Sequence, residues 1–496
     1  MDLRYRSTRN NSKILTASQA IIQGLSEDGG LFVPDVFPKL EVSPADLAKM
    51  DYKEVAYEVM KLFFTDFTED ELKYCIDHAY DSKFDTEEIA PLSYVDDTYY
   101  MELFHGKTIA FKDMALSILP YLMTTSAKKN DVKEKIIILT ATSGDTGKAA
   151  LAGFADVEGC GIVVFYPKGG VSRIQELQMV TQKGKNVKVV GINGNFDDAQ
   201  TGVKKIFSDD EFKAELAKMG YRFSSANSIN IGRLIPQVAY YVFAYSRLVK
   251  EGKIAAGEKI NFTVPTGNFG NILAGYYAKK IGLPVHKLIC ASNENKVLFD
   301  FFETGVYDRN REFILTTSPS MDILISSNLE RLIYEITGEN AGECKKLMNA
   351  LTSEGKYEIT SDMKAKCKDF VGGYATEEEV LERIHEIYER TGYVLDTHTA
   401  VASFVYKMYA KQSGDDTTNV VVSTASPYKF TRSVMEALEG HIETEDDFVL
   451  IDRLSEMSKI PIPNAVEEIR NAEILHDTVC EKDGMKEEVR KFLEKL

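Results

Sequence analysis

The feature that most narrows the fold is a repeated unit of strand, loop and helix between residues 93 and 293. Residues 135–139 (KIIIL) form a short continuous apolar run, as parallel strands buried on both faces require. A loop, TATSGDTG, leads into a helix expected near 148–155. Further strands are expected at 162–166, 187–192, 260–264 and 287–291. Such alternation predicts a doubly wound α/β sheet. Residues 419–424 (NVVVST) supply one more strand, followed by a helix near 432–438. The chain thus returns to the sheet after a mostly helical insertion, rich in Glu and Lys, over about 294–415. Residues 1–92 read as an α-rich unit, with helical spacing at 18–25 and 51–64 and a glycine turn, EDGGLFVP, between them. The end, 441–496, reads as an acidic helical extension. The expected division is therefore 1–92, 93–440 and 441–496.

A chain of 496 residues is too long for one core, so two or three domains are expected. The net charge of −17 disfavours nucleic acid and anionic membrane as partners, since phosphate backbones need clustered positive charge. A small basic pocket is still compatible with it. Six cysteines, at 75, 160, 290, 344, 367 and 480, form no Cys-x-x-Cys motif and no zinc-type cluster with the seven histidines. Reduced thiols in a cytoplasmic protein are expected. No stretch has the apolar length of a membrane span, and MDLRYRSTRNNSK lacks a signal-peptide core.

Three loops could hold an anion. PTGNFGN (265–271) follows a strand and opens a helix, so its backbone N–H groups can converge at a helix N-terminus. It reads equally as a tight strand-to-helix turn, and it lacks the G-x-G-x-x-G spacing. TSGDTGK (142–148) is not a nucleotide P-loop, because Thr142 stands where the first Gly belongs and Ala149 follows the lysine. It still offers the hydroxyls of Thr142, Ser143 and Thr146. SSANSINIGRLIPQ (224–237) places Asn227 and Ser228 at a helix start and adds a lone Arg233. In HGKTIAFKDMAL (105–116), Lys112 is flanked by apolar residues. It either snorkels, or is desolvated enough for its amine to become a nucleophile.

In their order, these segments resemble the fold type II pyridoxal-phosphate enzymes, and among them the long threonine synthases with an N-terminal domain. The resemblance also covers YRSTRN (5–10), GLSEDGGLFVP (24–34), SPSMDI (318–323), GYVLDTHTAV (392–401) and STASPYKF (423–430). It implies doubly wound sheets in two lobes and pyridoxal 5'-phosphate carried covalently by Lys112. Gly267, Asn268, Phe269, Gly270 and Asn271 would cradle the cofactor phosphate. Thr424 would face the pyridine nitrogen, and Phe111 would pack beside the lysine linkage. Asp145 stands where many fold type II enzymes have an Asn.

The implied reaction converts O-phospho-L-homoserine and water into L-threonine and phosphate, with Lys112 moving the Cα proton. Thr142, Ser143, Asp145, Thr146, Asn227, Ser228 and Arg233 are the expected substrate contacts. The alternative is another fold type II enzyme, such as a threonine or serine dehydratase, which has no substrate phosphate to bind. No metal is expected. The protein is expected to be a monomer or small homo-oligomer whose partner is its small-molecule substrate.

Overall fold

The computed structural model describes every residue except Met1, Ser143 and Glu445. The chain begins with β1 (Tyr5–Ser7), β2 (Asn10–Leu15) and β3 (Phe32–Pro34), a small antiparallel sheet in the order β2-β1-β3. There follow β4 (Leu92–Val95), β5 (Thr98–Glu102), β6 (Lys135–Ala141), β7 (Cys160–Pro167), β8 (Val187–Asn193) and β9 (Tyr221–Ser224). The remainder adds β10 (Ile260–Pro265), β11 (Val285–Ser292), β12 (Val306–Asp308), β13 (Lys356–Glu358), β14 (Phe370–Tyr374), β15 (Asn419–Ser423) and β16 (Val479–Glu481).

Two large sheets make two lobes. One has six strands in the order β14-β11-β10-β15-β5-β4, and the other five in the order β16-β8-β7-β6-β9. All neighbours are parallel except β4 with β5. Every residue of β7 and β10 is buried; β7 is accordingly an unbroken run, CGIVVFYP, while β10 (INFTVP) also buries Asn261 and Thr263. The helices between them cover both faces, so ligands are expected at the carboxyl ends of the strands.

Three features differ from the sequence expectations. Residues 1–92 contain a sheet as well as helices, and β2 is too polar and exposed to announce itself. Their core is also shared: the Tyr52 ring packs edge-on against Phe243 at 5.3 Å. The 294–415 stretch is not simply a helical insertion. It holds the antiparallel pair β12–β13, and β14 is the edge strand of the six-stranded sheet beside β11. β14 reads FVGGY, whose glycines hide its strand character. A Cβ on Gly373 would lie 2.4 Å from Val405, and one on Gly372 3.3 Å from the Phe299 backbone, so flanking helices press on both faces. Finally, the 441–496 tail is more than a helical extension, because β16 joins the five-stranded sheet beside β8. Three residues carry too little periodicity to predict a strand.

Candidate active site

Loops from both lobes meet at Lys112. Ala110 bridges Ala425, and the Phe111 N–H donates to the Thr424 carbonyl at 2.8 Å, pinning this segment to the end of β15. Asp113 does not pair with the lysine. It accepts from the Thr108 N–H at 2.8 Å and the Thr108 hydroxyl at 2.6 Å, folding its own loop. The Lys112 side chain is only 12% exposed. Its Nζ donates to Ser320 Oγ at 2.9 Å and to Asp145 Oδ2 at 3.3 Å, and it lies 5.6 Å from the centre of the Phe111 ring. Burial lowers its pKa, aided by the charges of Lys429 and Arg233 and opposed by Asp145.

Asp145 opens the helix Asp145–Phe154 that follows β6. Its Oδ1 receives Gln175 Nε2 at 2.9 Å and Lys429 Nζ at 3.2 Å, while Oδ2 receives the Ser320 hydroxyl at 2.8 Å as well as Lys112. Burial opposes its ionisation, but Lys429 and Lys112 hold it well below the usual carboxylate range. An ionised carboxylate with both oxygens engaged repels a substrate anion. Asp145 thus lies as a counter-ion between two lysines. Thr142 Oγ1 accepts from the Gly144 and Gly147 N–H groups, each at 3.0 Å, and so shapes the loop itself. Thr146 is half-buried in the first turn of the helix. Ser143 lies outside the described residues.

The sequence reading gave no role to several residues at this centre. Lys429 is fully buried and also donates to the Thr108 carbonyl at 2.7 Å. Ser320 presents its N–H to His398 Nε2 at 3.1 Å, and His398 Nδ1 meets Asp396 at 3.0 Å. Accepting at Nε2 assigns the ring proton to Nδ1, facing the carboxylate. These residues sit in SPSMDI, GYVLDTHTAV and STASPYKF, the only signal they carried. No local spacing marks them, because they meet through the topology.

The 267–271 loop is built differently. A Cβ on Gly267 would lie 2.6 Å from the Ser320 carbonyl oxygen, so a side chain has no room there. Phe269 takes a left-handed conformation at φ 61° and packs its ring near Phe302 and Phe370, 6.1 and 5.6 Å between centroids. With that ring in the core, Phe269 offers a ligand only backbone. The Asn268 carbonyl receives the N–H and Nδ2 of Asn328 at 3.1 and 3.0 Å. Asn271 Oδ1 receives the hydroxyls of Tyr240 and Tyr241, each at 2.7 Å, yet its buried Nδ2 donates to nothing. Gly270 begins the helix Gly270–Lys280.

Arg233 lies in the first turn of the helix Ile231–Lys250, whose N-cap is Asn230. It is buried, donates from Nη1 to the Ala226 carbonyl at 3.0 Å, and leaves Nε buried without a partner. Desolvation brings its pKa down to about 10. Its described hydrogen bonding includes no carboxylate. Asn227 is exposed and Ser228 half-buried, with Ser228 Oγ donating to Asn227 Oδ1 at 3.3 Å. Thr424 is buried, its N–H donating to Thr399 Oγ1 at 3.3 Å.

The sequence matches three family descriptions: Threonine synthase N terminus over residues 4–80, Pyridoxal-phosphate dependent enzyme over 95–425, and Threonine synthase, C-terminal over 399–479. The threonine synthase of Saccharomyces cerevisiae is 37% identical over 489 residues, covering 92% of this chain and 93% of that one. The chain belongs to the threonine synthase family. A human relative, Threonine synthase-like 1, is 41% identical over 436 residues, covering 85% of this chain. The match spans 58% of that longer protein. The crystal structures of the yeast enzyme and of a PLP-bound threonine synthase from Brucella melitensis superpose with TM-scores of 0.89 and 0.87. Each is 34% identical, with 99% of both chains covered.

A pyridoxal-phosphate family needs a reachable lysine amine and a cradle for a phosphate, and this chain has residues that fit both. Lys112 is desolvated and hydrogen-bonded at the meeting point of the lobes. The 267–271 loop combines a glycine with no room for a Cβ, a helix N-terminus and the orphaned Asn271 Nδ2. Among the described residues no cluster of potential metal ligands is found.

Proposed function

We propose that this chain is a threonine synthase, converting O-phospho-L-homoserine and water into L-threonine and phosphate with pyridoxal 5'-phosphate attached at Lys112. The observation that carries the reading is Arg233, a buried guanidinium with an unpartnered Nε and no carboxylate in its described hydrogen bonding. A phosphorylated substrate requires an anion site beyond those for the cofactor's phosphate and its own carboxylate, and a dehydratase substrate, which has no phosphate, does not.

When bound, the cofactor supplies an electron sink for carbons beside the substrate's amino group. Residues 267–271 would hold its phosphate through backbone N–H groups and the helix N-terminus. Thr424 would serve its ring nitrogen, and Phe111 flanks the lysine. The Lys112 amine takes and returns the proton at the substrate Cα. Burial lowers its pKa, which favours the neutral amine that this task needs. Asp145 and Ser320 aim the amine, and Lys429 keeps Asp145 ionised. Arg233 grips the substrate phosphate, helped by Asn227, Ser228, Thr142 and Thr146. A planar guanidinium can bind phosphate through two parallel bonds and stabilise charge on the departing oxygens. The six unbridged thiols, five of them buried, suit a cytoplasmic enzyme.

The test is product analysis with O-phospho-L-homoserine, with and without added pyridoxal phosphate. Equimolar threonine and phosphate, dependent on the cofactor, is the expected result. A 2-oxo acid formed from serine or threonine, with no phosphate release from O-phospho-L-homoserine, would overturn the reading.

A further inference from the structure

Arg331 is a fully buried arginine far in sequence from every expected site residue. It lies in the helix Leu329–Ile336, and its guanidinium spends its hydrogen bonds on two distant segments and on the N-cap of its own helix. Nε donates to the Phe32 carbonyl of β3 at 2.9 Å. Nη2 donates to the Ile229 carbonyl, next to Ser228, at 2.5 Å. Nη1 donates to Asn328 Oδ1 at 2.5 Å. Asn328 extends this last arm, since its Nδ2 reaches the Asn268 carbonyl at 3.0 Å and Ser228 Oγ at 3.5 Å. Burial lowers the pKa of Arg331, and no carboxylate lies among its described hydrogen-bond acceptors.

The neighbouring Glu330 provides a contrast. It also ties the N-terminal residues to this helix, accepting from the Thr8 hydroxyl at 2.5 Å and from Arg9 at 2.8 and 2.7 Å. It has no arm toward either anion-facing loop. Two adjacent residues thus fasten the same two parts of the chain, but only one continues into the site.

We propose that Arg331 is a positioning residue that sets the cofactor-phosphate loop at 267–271 and the substrate-phosphate turn at 227–229 in register, using β3 of the N-terminal region as the fixed point. The inference deepens the functional reading above and rests on it. A rigid planar fork suits the task, because its donors diverge toward three acceptors at once. A lysine keeps the charge but cannot span them. Loops supported this way are held in productive geometry by the residues behind them.

The experiment compares Arg331→Lys with Arg9→Met, which cuts the parallel fastening only. Three quantities are measured: the thermal midpoint, the affinity of the cofactor-free protein for pyridoxal phosphate, and the midpoint of the holoenzyme titrated with inorganic sulfate. Both variants should lower the midpoint. Only Arg331→Lys should weaken both pyridoxal phosphate and sulfate, each by about 10-fold, as displaced site geometry does. Parental affinities for both anions, or a loss at only one, would reduce Arg331 to a structural fastening. Should Arg331→Lys fail to fold, Asn328→Ser is judged by the same two affinities. A parent that neither takes up pyridoxal phosphate nor responds to sulfate would contradict the functional reading instead, so the two failures are distinguishable.

Discussion

The two anion-facing regions of this molecule are built on opposite principles. The 267–271 loop is neutral: its contacts come from Asn328, Ser326, Tyr240 and Tyr241, and its attraction for phosphate lies in backbone amides at a helix N-terminus. The other region is charged, gathering Lys112, Lys148, Lys429 and Arg233 around Asp145 and Asp113. A resident cofactor can be held by fixed dipoles, which bury no net charge when the site is empty. A substrate whose phosphate must arrive, gain charge and leave is better met by ionised side chains, which strengthen as that charge develops. Those side chains are stored at a cost, because each is desolvated without a full complement of partners.

The largest effect that bears on this contrast belongs to the residue between the two regions. Lys112→Ala should lower kcat by at least about 10²–10⁴-fold, the range for losing a general base. In the parent, borohydride should fix the cofactor to the peptide containing Lys112, and recovery on Lys429 or Lys148 would reverse the assignment. A smaller effect separates two glycines of the neutral loop. A Cβ at Gly267 meets backbone at 2.6 Å, whereas one at Gly270 meets only the Asn328 side chain at 3.3 Å. Overpacking costs about 1–3 kcal/mol, so Gly267→Ala should weaken pyridoxal phosphate by roughly 5- to 150-fold. Gly270→Ala should weaken it less, and sulfate binding should hold in both variants. Equal effects at the two glycines would show that the close approach does not matter.

The smallest effect concerns charge stored in the cationic region. Burial brings the Lys148 pKa down to about 7, and its amine donates to Gln182 Oε1 at 2.8 Å. The unfolded chain holds this proton up to the ordinary lysine range, whereas the folded protein releases it near 7. Between those limits the unfolded state binds more protons, so stability rises with pH and the penalty is greatest at and below pH 7. Lys148→Met should therefore raise the thermal midpoint more at pH 7 than at pH 10. A gain independent of pH would mean that packing, not charge, limits stability there.

What the sequence disclosed follows the same divide. Lys112 and the 267–271 loop stood out through local signals, an amine among apolar neighbours and small residues between a strand and a helix, but each read equally as a snorkelling lysine or a tight turn until the family resemblance gave it a role. The parallel strands were legible from unbroken apolar runs such as 135–139. β14 was not, because packing on both faces demanded glycines that read as a turn, and β16 is too short to show a period. Lys429, Ser320, His398 and Arg331 had no local signature at all. Their meaning depends on partners distant in sequence, from 78 residues between Ser320 and His398 to 321 between Lys429 and Thr108. Asp145 was visible as a site residue, but its role depended on Lys429, which was not.

The division of labour between the two regions is tested most directly in Arg233→Ala. Losing a charge-assisted bond to a desolvated anion costs about 2–5 kcal/mol, or roughly 30- to 4,000-fold in kcat/KM. Steady-state turnover of O-phospho-L-homoserine, measured beside a pyridoxal phosphate titration, should show that loss with cofactor affinity unchanged. Arg233→Lys should recover only part of it, since a point charge cannot reproduce the fork. An Arg233→Ala enzyme that turns over O-phospho-L-homoserine like the parent, or that loses cofactor affinity in step with activity, would contradict the assignment of two phosphates to two differently built sites.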